Sequence, residues 1–129
     1  MASIFSKIIS GEIPSFKIYE DDNFLAFLDI NPNALGRTLC IPKKEVDQLF
    51  DLDDKNLSEL IIFSKKVANA IKKAVVCKRV GMSVIGLEVP HVHVHLIPIN
   101  NMDDMSFDSK ISMNESQFIE TMNKIKSYI

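Results

Sequence analysis

The sequence lacks most of the features that mark secreted, membrane or redox proteins. Among its 129 residues there are only two cysteines, Cys40 and Cys77, and they form no close-spaced motif. We therefore expect free, buried thiols in a reducing compartment. No apolar run approaches the length of a membrane span. The N-terminus also lacks the charged and then long apolar segments of an export signal. These absences predict a cytoplasmic protein with no membrane partner.

The sequence also lacks an excess of positive charge. Lysine and arginine total 15 and aspartate and glutamate total 17, so the net charge is −2. Such a chain has no overall basic field, which argues against nucleic acid as a partner. A glycine-rich Walker loop is absent as well. Apolar residues make up 47% and charged residues 25% of the chain, which predicts one globular domain over residues 1–129.

Hydrophobic periodicity predicts an α+β fold. The strand patterns are joined mostly by turns too short for a crossover helix, so we expect a mainly antiparallel five-stranded sheet. One long helix and shorter terminal helices complete the prediction, and a capping-box pattern at residues 112–115 marks the start of the last helix. The predicted strands are 15–20, 24–30, 38–41, 79–85 and 91–99, and the predicted helices are 3–9, 53–75 and 112–129.

All three histidines of the chain lie in one alternating segment. His91, His93 and His95 are separated by Val92 and Val94. A strand has a side-chain period of two, so the imidazoles should lie in a row on one open face, about 6.6–7 Å apart at Cα. The valines should face a core on the other side. A chance row of solvent-facing histidines is disfavoured because apolar residues alternate with them.

Two chemical functions suit such a row. Histidines at this spacing on a strand can bind zinc, although a further ligand would be needed and only Glu88 is close in sequence. Alternatively, a neutral imidazole is a good nucleophile at pH 7, and its neighbours can donate hydrogen bonds to developing negative charge. His93, in the middle, is the candidate nucleophile.

The segment from His91 to Ile97 fits the His-φ-His-φ-His-φ-φ signature of the histidine triad (HIT) family, in which φ is apolar. The resemblance extends through most of the chain, to the opening segment Ile4–Ile9 and to three later blocks. About thirty C-terminal residues have no recognised counterpart, so residues 112–129 are predicted to be a helical extension. The blocks read Tyr19-Glu20-Asp21-Asp22, Leu25-Ala26-Phe27-Leu28-Asp29-Ile30-Asn31-Pro32 and Leu39-Cys40-Ile41-Pro42-Lys43-Lys44.

The resemblance implies a Hint-like nucleotidyl hydrolase or transferase that cleaves a nucleoside phosphoramidate or related phosphate bond. By position, His93 matches the nucleophile that forms a nucleotidyl-histidine intermediate. His95 matches the residue that contacts the α-phosphate, and His91 matches the residue that supports the nucleophile. The resemblance further implies a purine nucleotide or nucleotide conjugate as ligand, a homodimer and no cofactor. Alternatives are a dinucleoside polyphosphate hydrolase and a nucleotide-binding regulatory module with little catalysis.

The resemblance also implies a set of nucleotide-binding residues. Asp29 matches the carboxylate that holds the ribose hydroxyls, although it could equally cap the turn that follows it. Four apolar residues match the pocket around the base, and each could equally be a core residue. Two residues before the triad match the phosphate loop. In order, these are Phe5, Ile8, Phe27 and Ile30 for the base and Gly86 and Glu88 for the loop.

The sequence departs from the family pattern in three places. Many members bind zinc through four positions that here are Ser3, Ser6, Glu45 and His91, so we expect no metal. Where relatives often have histidine, this chain has Arg37, which is predicted to bind phosphate or, with a slight preference, to form a surface ion pair. The loop before the triad looks shortened. Leu87 replaces a glutamine, and Glu88 is either a proton donor or a surface carboxylate.

Overall fold

The structure, a computed structural model, describes residues 3–107 and 110–129. Five strands form one sheet in which every neighbouring pair is antiparallel, and this confirms the predicted α+β class. The spatial order is β1-β2-β3-β5-β4. In chain order the strands are β1 (Lys17–Glu20), β2 (Phe24–Leu28), β3 (Thr38–Pro42), β4 (Arg79–Ser83) and β5 (Val94–Ile99).

Three helices accompany the sheet, and each begins at a side-chain cap. Helix α1 (Ile4–Ile9) begins where the Ser3 hydroxyl accepts a hydrogen bond from the Ser6 amide. Helix α2 (Asp54–Ala74) begins after Asp53, whose carboxylate accepts from the Asn56 amide. Such caps satisfy amides that have no partner within the helix. Helix α3 spans Glu115–Lys126, and short 3₁₀ turns occupy Leu49–Asp51 and Met102–Met105.

The two faces of the sheet are different. One face packs against α2 and forms the larger core, to which β5 contributes Val94 and Leu96. The other face packs against α1 in a smaller cluster made of Phe5, Ile8, Leu25, Phe27, Leu39 and Ile41. His95 pairs directly with Leu39 across the β3–β5 ladder. Directly paired residues share a face, so His95 lies on the α1 side.

Some predicted boundaries are wrong. The last strand begins at Val94 rather than at residue 91, because the amide of Val92 donates to Val46 and the amide of His91 donates to Val89. The capping box of α3 is formed by Asn114 and Gln117, two residues after the predicted one, and the helix ends at Lys126. Strand β2 ends at Leu28, two residues early.

Two predictions about compartment rest on cysteine and on hydropathy. Both Cys40 and Cys77 are free and buried. Burial raises the pKa of the Cys40 thiol to about 12, so the thiol stays protonated and behaves as a small core residue. Across residues 3–107 and 110–129, no helix has the length and hydropathy needed to span a membrane.

Candidate active site

The three histidines lie together, but they do not form an open row. Only 0%, 8% and 7% of the surface of His91, His93 and His95 is exposed. The expected open face is wrong because Phe5 of α1 packs its ring edge-on against His91 and His93, with ring centroids 5.8 and 4.9 Å away. The rings of His93 and His95 also touch, with centroids 4.8 Å apart.

His91 is held at both ring nitrogens. Its Nε2 lies 2.8 Å from the carbonyl oxygen of Pro42, which can only accept, so Nε2 carries the proton. Its Nδ1 lies 2.7 Å from the Ser3 hydroxyl, which then donates to it. A fully buried ring with two satisfied nitrogens has no lone pair left for chemistry. The geometry therefore suits a supporting residue rather than a nucleophile or a metal ligand.

His93 is held at one nitrogen only. Its Nδ1 donates to the carbonyl oxygen of His91, at 2.7 Å. In a neutral ring the other nitrogen, Nε2, then carries a lone pair. Desolvation by burial lowers the pKa of His93, although the hydrogen bond to the His91 carbonyl opposes the shift. The neutral, nucleophilic form is thus the dominant one at pH 7.

A cavity of about 190 Å³ lies beside His93. The loops before α2 and after β4 provide most of its wall. Gly86 belongs to this wall and has a φ of +77°, a conformation that side chains other than glycine rarely adopt. His93 is itself one of the residues that line the cavity. The other lining residues are Asp47, Gln48, Leu49, Phe50, Val84, Ile85 and Val92.

His95 is held by a buried cation. The Nη2 atom of Arg37 lies 3.0 Å from its Nδ1. Burial is the largest cause that lowers the pKa of His95 to about 3, and the neighbouring His93, Arg37 and Lys110 add to the shift. His95 is therefore neutral across the physiological range.

Arg37 does not form the surface ion pair that the sequence favoured. Only 1% of the residue is exposed. Its Nη1 donates to Asn33 Oδ1 at 2.7 Å, its Nε lies 3.4 Å from Asp29 Oδ2, and its guanidinium carbon lies 4.2 Å above the ring of Phe107. The prediction failed because the sequence does not reveal that residues 101–107 cover this position. The sequence analysis did not identify Asn33 and Phe107 as site residues for the same reason, since no local motif marks either of them.

Asp29 caps the turn that follows it, which is one of its two predicted roles, and it also lies beside Arg37. One carboxylate oxygen accepts from the amide of Asn31 at 2.9 Å and caps the turn, while the other faces Arg37. Its side chain is 17% exposed, so the carboxylate remains reachable. Its use as a ribose ligand stays a prediction.

The predicted base pocket is only partly assembled. Phe5, Ile8 and Phe27 lie in the smaller core cluster, and the Phe5 and Phe27 rings are 5.7 Å apart. Ile30 follows β2 and is 64% exposed, so it lies outside that cluster. Glu88 is also exposed, and among the described residues it makes no hydrogen bond or ion pair with the imidazoles. The structure thus brings Phe5 to the histidines but leaves Ile30 and Glu88 apart.

The four positions that correspond to the family's zinc ligands converge on one another. The carboxylate of Glu45 accepts from the Ser3 amide at 2.5 Å and from the Ser6 hydroxyl at 2.9 Å, and lies 4.0 Å from His91 Nδ1. These hydrogen bonds, first the one from the Ser3 amide, lower the pKa of Glu45. We call Ser3, Ser6, Glu45 and His91 the serine–glutamate cluster.

The serine–glutamate cluster does not fit zinc. Structural zinc sites use thiolates and imidazoles, whereas this cluster offers two hydroxyls that already donate hydrogen bonds and an imidazole that already accepts one. Within residues 3–107 and 110–129, no three side chains of His, Cys, Asp or Glu are grouped so as to hold a metal ion. Hydrogen bonds connect the positions that a metal would otherwise join.

The sheet, its helices and the triad are shared with known proteins. The chain is 38% identical to an uncharacterized HIT-like protein of Borreliella burgdorferi, over 98% of this chain and 97% of that protein. It is 44% identical to an adenosine 5′-monophosphoramidase of Saccharomyces cerevisiae, over 75% of this chain and 62% of that protein.

A solved structure shows the same architecture. It is that of a zinc-bound histidine triad family protein from Mycobacterium smegmatis, which superposes with a TM-score of 0.85 at 28% identity and covers 99% of this chain and 93% of that one. The HIT domain profile matches residues 10–102, which include the whole sheet and the three histidines. The chain therefore belongs to the histidine triad (HIT) family.

Proposed function

We propose that this protein is a nucleotidyl hydrolase or transferase that cleaves a nucleoside phosphoramidate or a related phosphate bond at His93. One observation carries the proposal. His93 donates its Nδ1 proton to the His91 carbonyl and so keeps an Nε2 lone pair beside a cavity. Similarity to an adenosine 5′-monophosphoramidase supports the substrate class.

The first half of the reaction is attack of His93 Nε2 on phosphorus. A P–N bond forms to the imidazole while the bond to the leaving amine breaks. The amine departs with the electron pair of that bond and takes a proton from water. His95 donates its Nε2 proton as a hydrogen bond to a phosphoryl oxygen, where charge builds up in the transition state. Asp29 holds the ribose, and the apolar cluster around Phe5 and Phe27 contacts the base.

The second half is attack of water on the nucleotidyl-histidine. The P–N bond to His93 breaks, its electron pair returns to Nε2 and the nucleoside monophosphate leaves. The proton lost by the attacking water neutralises the hydroxide left when the amine took its proton. In-line attack inverts phosphorus twice, so the configuration is retained overall. His91 supports His93 directly, because the backbone carbonyl of His91 accepts the Nδ1 proton of His93 and so fixes the orientation of its ring.

The test is turnover of an adenosine phosphoramidate to AMP by the wild type and by His93→Ala. We expect AMP release in the wild type and a loss of at least about 10³-fold in the variant, the scale seen when a nucleophile is removed. A trapped adenylyl-protein that is absent from His93→Ala would identify the intermediate. Equal turnover in both proteins would remove His93 from its role. Nucleotide binding without turnover of phosphoramidate or dinucleoside polyphosphate would favour the regulatory module.

We also propose a homodimer of cytoplasmic location. Strand β4 is the last strand in the sheet order, and Met82 on it is 45% exposed. Ile62 and Val76, from α2 and its C-terminal end, are 66% and 99% exposed. An edge strand with an exposed apolar residue, together with exposed apolar residues on and after α2, favours association with a second copy. Sedimentation at micromolar concentration tests the dimer, and Met82→Lys should shift it toward monomer.

The cytoplasmic location is supported by the two free buried thiols, which suit a reducing compartment, and cell fractionation tests it.

A further inference from the structure

Arg37 contacts four side chains around the triad, and the proposed reaction gives it no part. It is a buried cation with three different neighbours, namely His95 Nδ1 at 3.0 Å, Asn33 Oδ1 at 2.7 Å and Asp29 Oδ2 at 3.4 Å. Burying a charge is costly unless it is paired and hydrogen-bonded. The Nε atom has no hydrogen bond of good geometry, so the pairing is incomplete at that atom. A side chain held at such a cost has a specific role.

The surroundings leave the guanidinium little freedom. Gly36 has a φ of +90°, and a side chain there would approach Val75 to 2.8 Å, so the chain entering Arg37 is fixed. Asn33 is anchored in turn, because its amide nitrogen donates to the carbonyls of Asp104 and Ser106 at 2.7 and 2.6 Å. Phe107 covers the face of the guanidinium. Two segments distant in sequence therefore clamp one side chain.

This geometry fixes the proton on His95. A guanidinium has donors only and cannot accept a hydrogen bond. Because Nη2 donates to Nδ1 of His95, Nδ1 must supply a lone pair. The single N–H of the neutral ring is then on Nε2. His95 is thereby prepared as a hydrogen-bond donor, which is the role a phosphoryl oxygen requires.

The charges around His95 act in the same direction. Arg37 and Lys110 are cations, and His93 is the imidazole just before β5 in the chain. All three lower the pKa of His95 and so disfavour its protonated form. Asp29, the carboxylate paired with Arg37, is not among the groups that shift the pKa of His95. The ring therefore stays neutral as the pH falls, and the donor does not become a competing cation.

We propose that Arg37 is a positioning residue, which holds His95 as a neutral Nε2–H donor and ties it to Asp29, so that the phosphate-contacting and ribose-contacting groups keep one fixed spacing. This inference rests on the proposed function of the site. Arg37 itself does not touch the substrate. It acts through His95 on one side of its guanidinium and through Asp29 on the other.

The direct test is the imidazole ¹⁵N spectrum of His95 in the ligand-free protein, titrated from pH 8 to about pH 2.5 so that the range includes the expected midpoints. In the wild type we expect a neutral ring with its proton on Nε2 down to about pH 5. In Arg37→Gln, the loss of the cation should move protonation of His95 upward by about one pH unit. In Arg37→Lys, which keeps the positive charge, the midpoint should stay near that of the wild type. A wild-type ring with its proton on Nδ1 would overturn the proposal.

The catalytic readout is the pH profile of kcat for an adenosine phosphoramidate. We expect about a tenfold lower kcat in both Arg37 variants, since both lose the fixed spacing, but an acid limb displaced to higher pH only in Arg37→Gln. Phe107→Leu is the matched control, because it loosens the clamp and keeps the guanidinium. A purely structural role would lower kcat in all three without displacing any profile, and this result would contradict the proposal.

The two proposals fail in distinguishable ways. If His93→Ala turns over substrate as the wild type does, the proposed function is wrong, whatever Arg37 does. If His93→Ala is inactive but Arg37→Gln has the wild-type profile and the wild-type His95 titration, only the role of Arg37 is wrong. Should Arg37→Gln fail to fold, the wild-type tautomer and the Arg37→Lys profile still decide, since either can contradict the proposal.

Discussion

The two ends of the triad are held by opposite kinds of chemistry. At one end His91 meets the serine–glutamate cluster, in which a carboxylate collects hydrogen bonds from Ser3 and Ser6. At the other end His95 meets Arg37, a permanent cation. In both rings Nδ1 accepts and Nε2 keeps the proton. In His93, between them, a backbone carbonyl reverses this order. Residues of one type at equal spacing thus acquire different tautomers from what each one touches.

The largest expected effect comes from converting the first end into a metal site. Ser3→Cys, Ser6→Cys and Glu45→His together would place two thiolates and two imidazoles where ligand atoms now lie 2.7–4.0 Å apart. We expect one zinc ion per chain by elemental analysis. At a thousandfold excess over Kd, the free energy of unfolding should rise by about 4 kcal/mol. The wild type, treated identically, is the control, and a triple variant that binds no zinc would show that the positions do not converge.

The next largest effect is the loss of folding stability when the histidine at either end of the triad is replaced by alanine. His91→Ala removes a fully buried ring, and with it the acceptor 2.7 Å from the Ser3 hydroxyl and the donor 2.8 Å from the Pro42 carbonyl. We expect a loss of about 2–4 kcal/mol in denaturant unfolding, from the cavity and from the lost hydrogen bonds. His95→Ala should cost less, because its ring is bonded at one nitrogen only. Equal losses of unfolding free energy in His91→Ala and His95→Ala would show that the two rings are held equally strongly.

Ser3 and Glu45 divide the first end into a buried and an exposed part. Ser3→Ala removes the cap of α1 and the donor to His91 at once, so we expect a loss of about 1 kcal/mol. Glu45→Gln keeps the shape of an exposed side chain and should lower Tm by less than Ser3→Ala does. Differential scanning calorimetry of both variants tests the order. A larger effect from Glu45→Gln would mean that the carboxylate charge, not the serine, holds the cluster together.

The second end should also make stability depend on pH. The pKa of His95 is about 3 in the folded chain and near 6.5 in the unfolded chain, so the unfolded state binds the extra proton first. This contribution leaves stability unchanged above about pH 6.5 and lowers it between about pH 6.5 and pH 3. We expect a lower Tm at pH 5 than at pH 7.5, and a smaller difference in His95→Asn. An unchanged difference would assign the acid sensitivity to other groups.

Local patterns predicted the elements of this fold well. The α2 stripe from Leu60 to Ile71 and the alternation of β4 and β5 depend on periods that are written directly in the sequence. Exact ends were harder, as in the segment before Val94, because its backbone bonds to Val46 and Val89 rather than to a strand. Val46 belongs to the loop after β3, far away in the chain, and no local pattern encodes its bond to Val92.

The site was predictable where its residues are adjacent and not where they are brought together by folding. The triad was visible because three histidines alternate with valines. The burial of Arg37 was not, since it depends on Asn33 and Phe107, which are 74 residues apart. Each of those side chains is ordinary in its own segment. Only the packing of residues 101–107 over the loop before β3 gives them a shared function.

The hydrogen bond from His93 to the carbonyl two residues before it has a consequence for how this protein can change over time. A histidine can instead be oriented by a carboxylate from elsewhere in the chain, and an altered loop can then misalign the ring. Here the hydrogen bond that orients the ring is formed within three consecutive residues, from His93 to the main-chain carbonyl of His91. The loops that border the cavity are thereby free to acquire new sequences, and with them new leaving groups, while the reactive nitrogen keeps its direction.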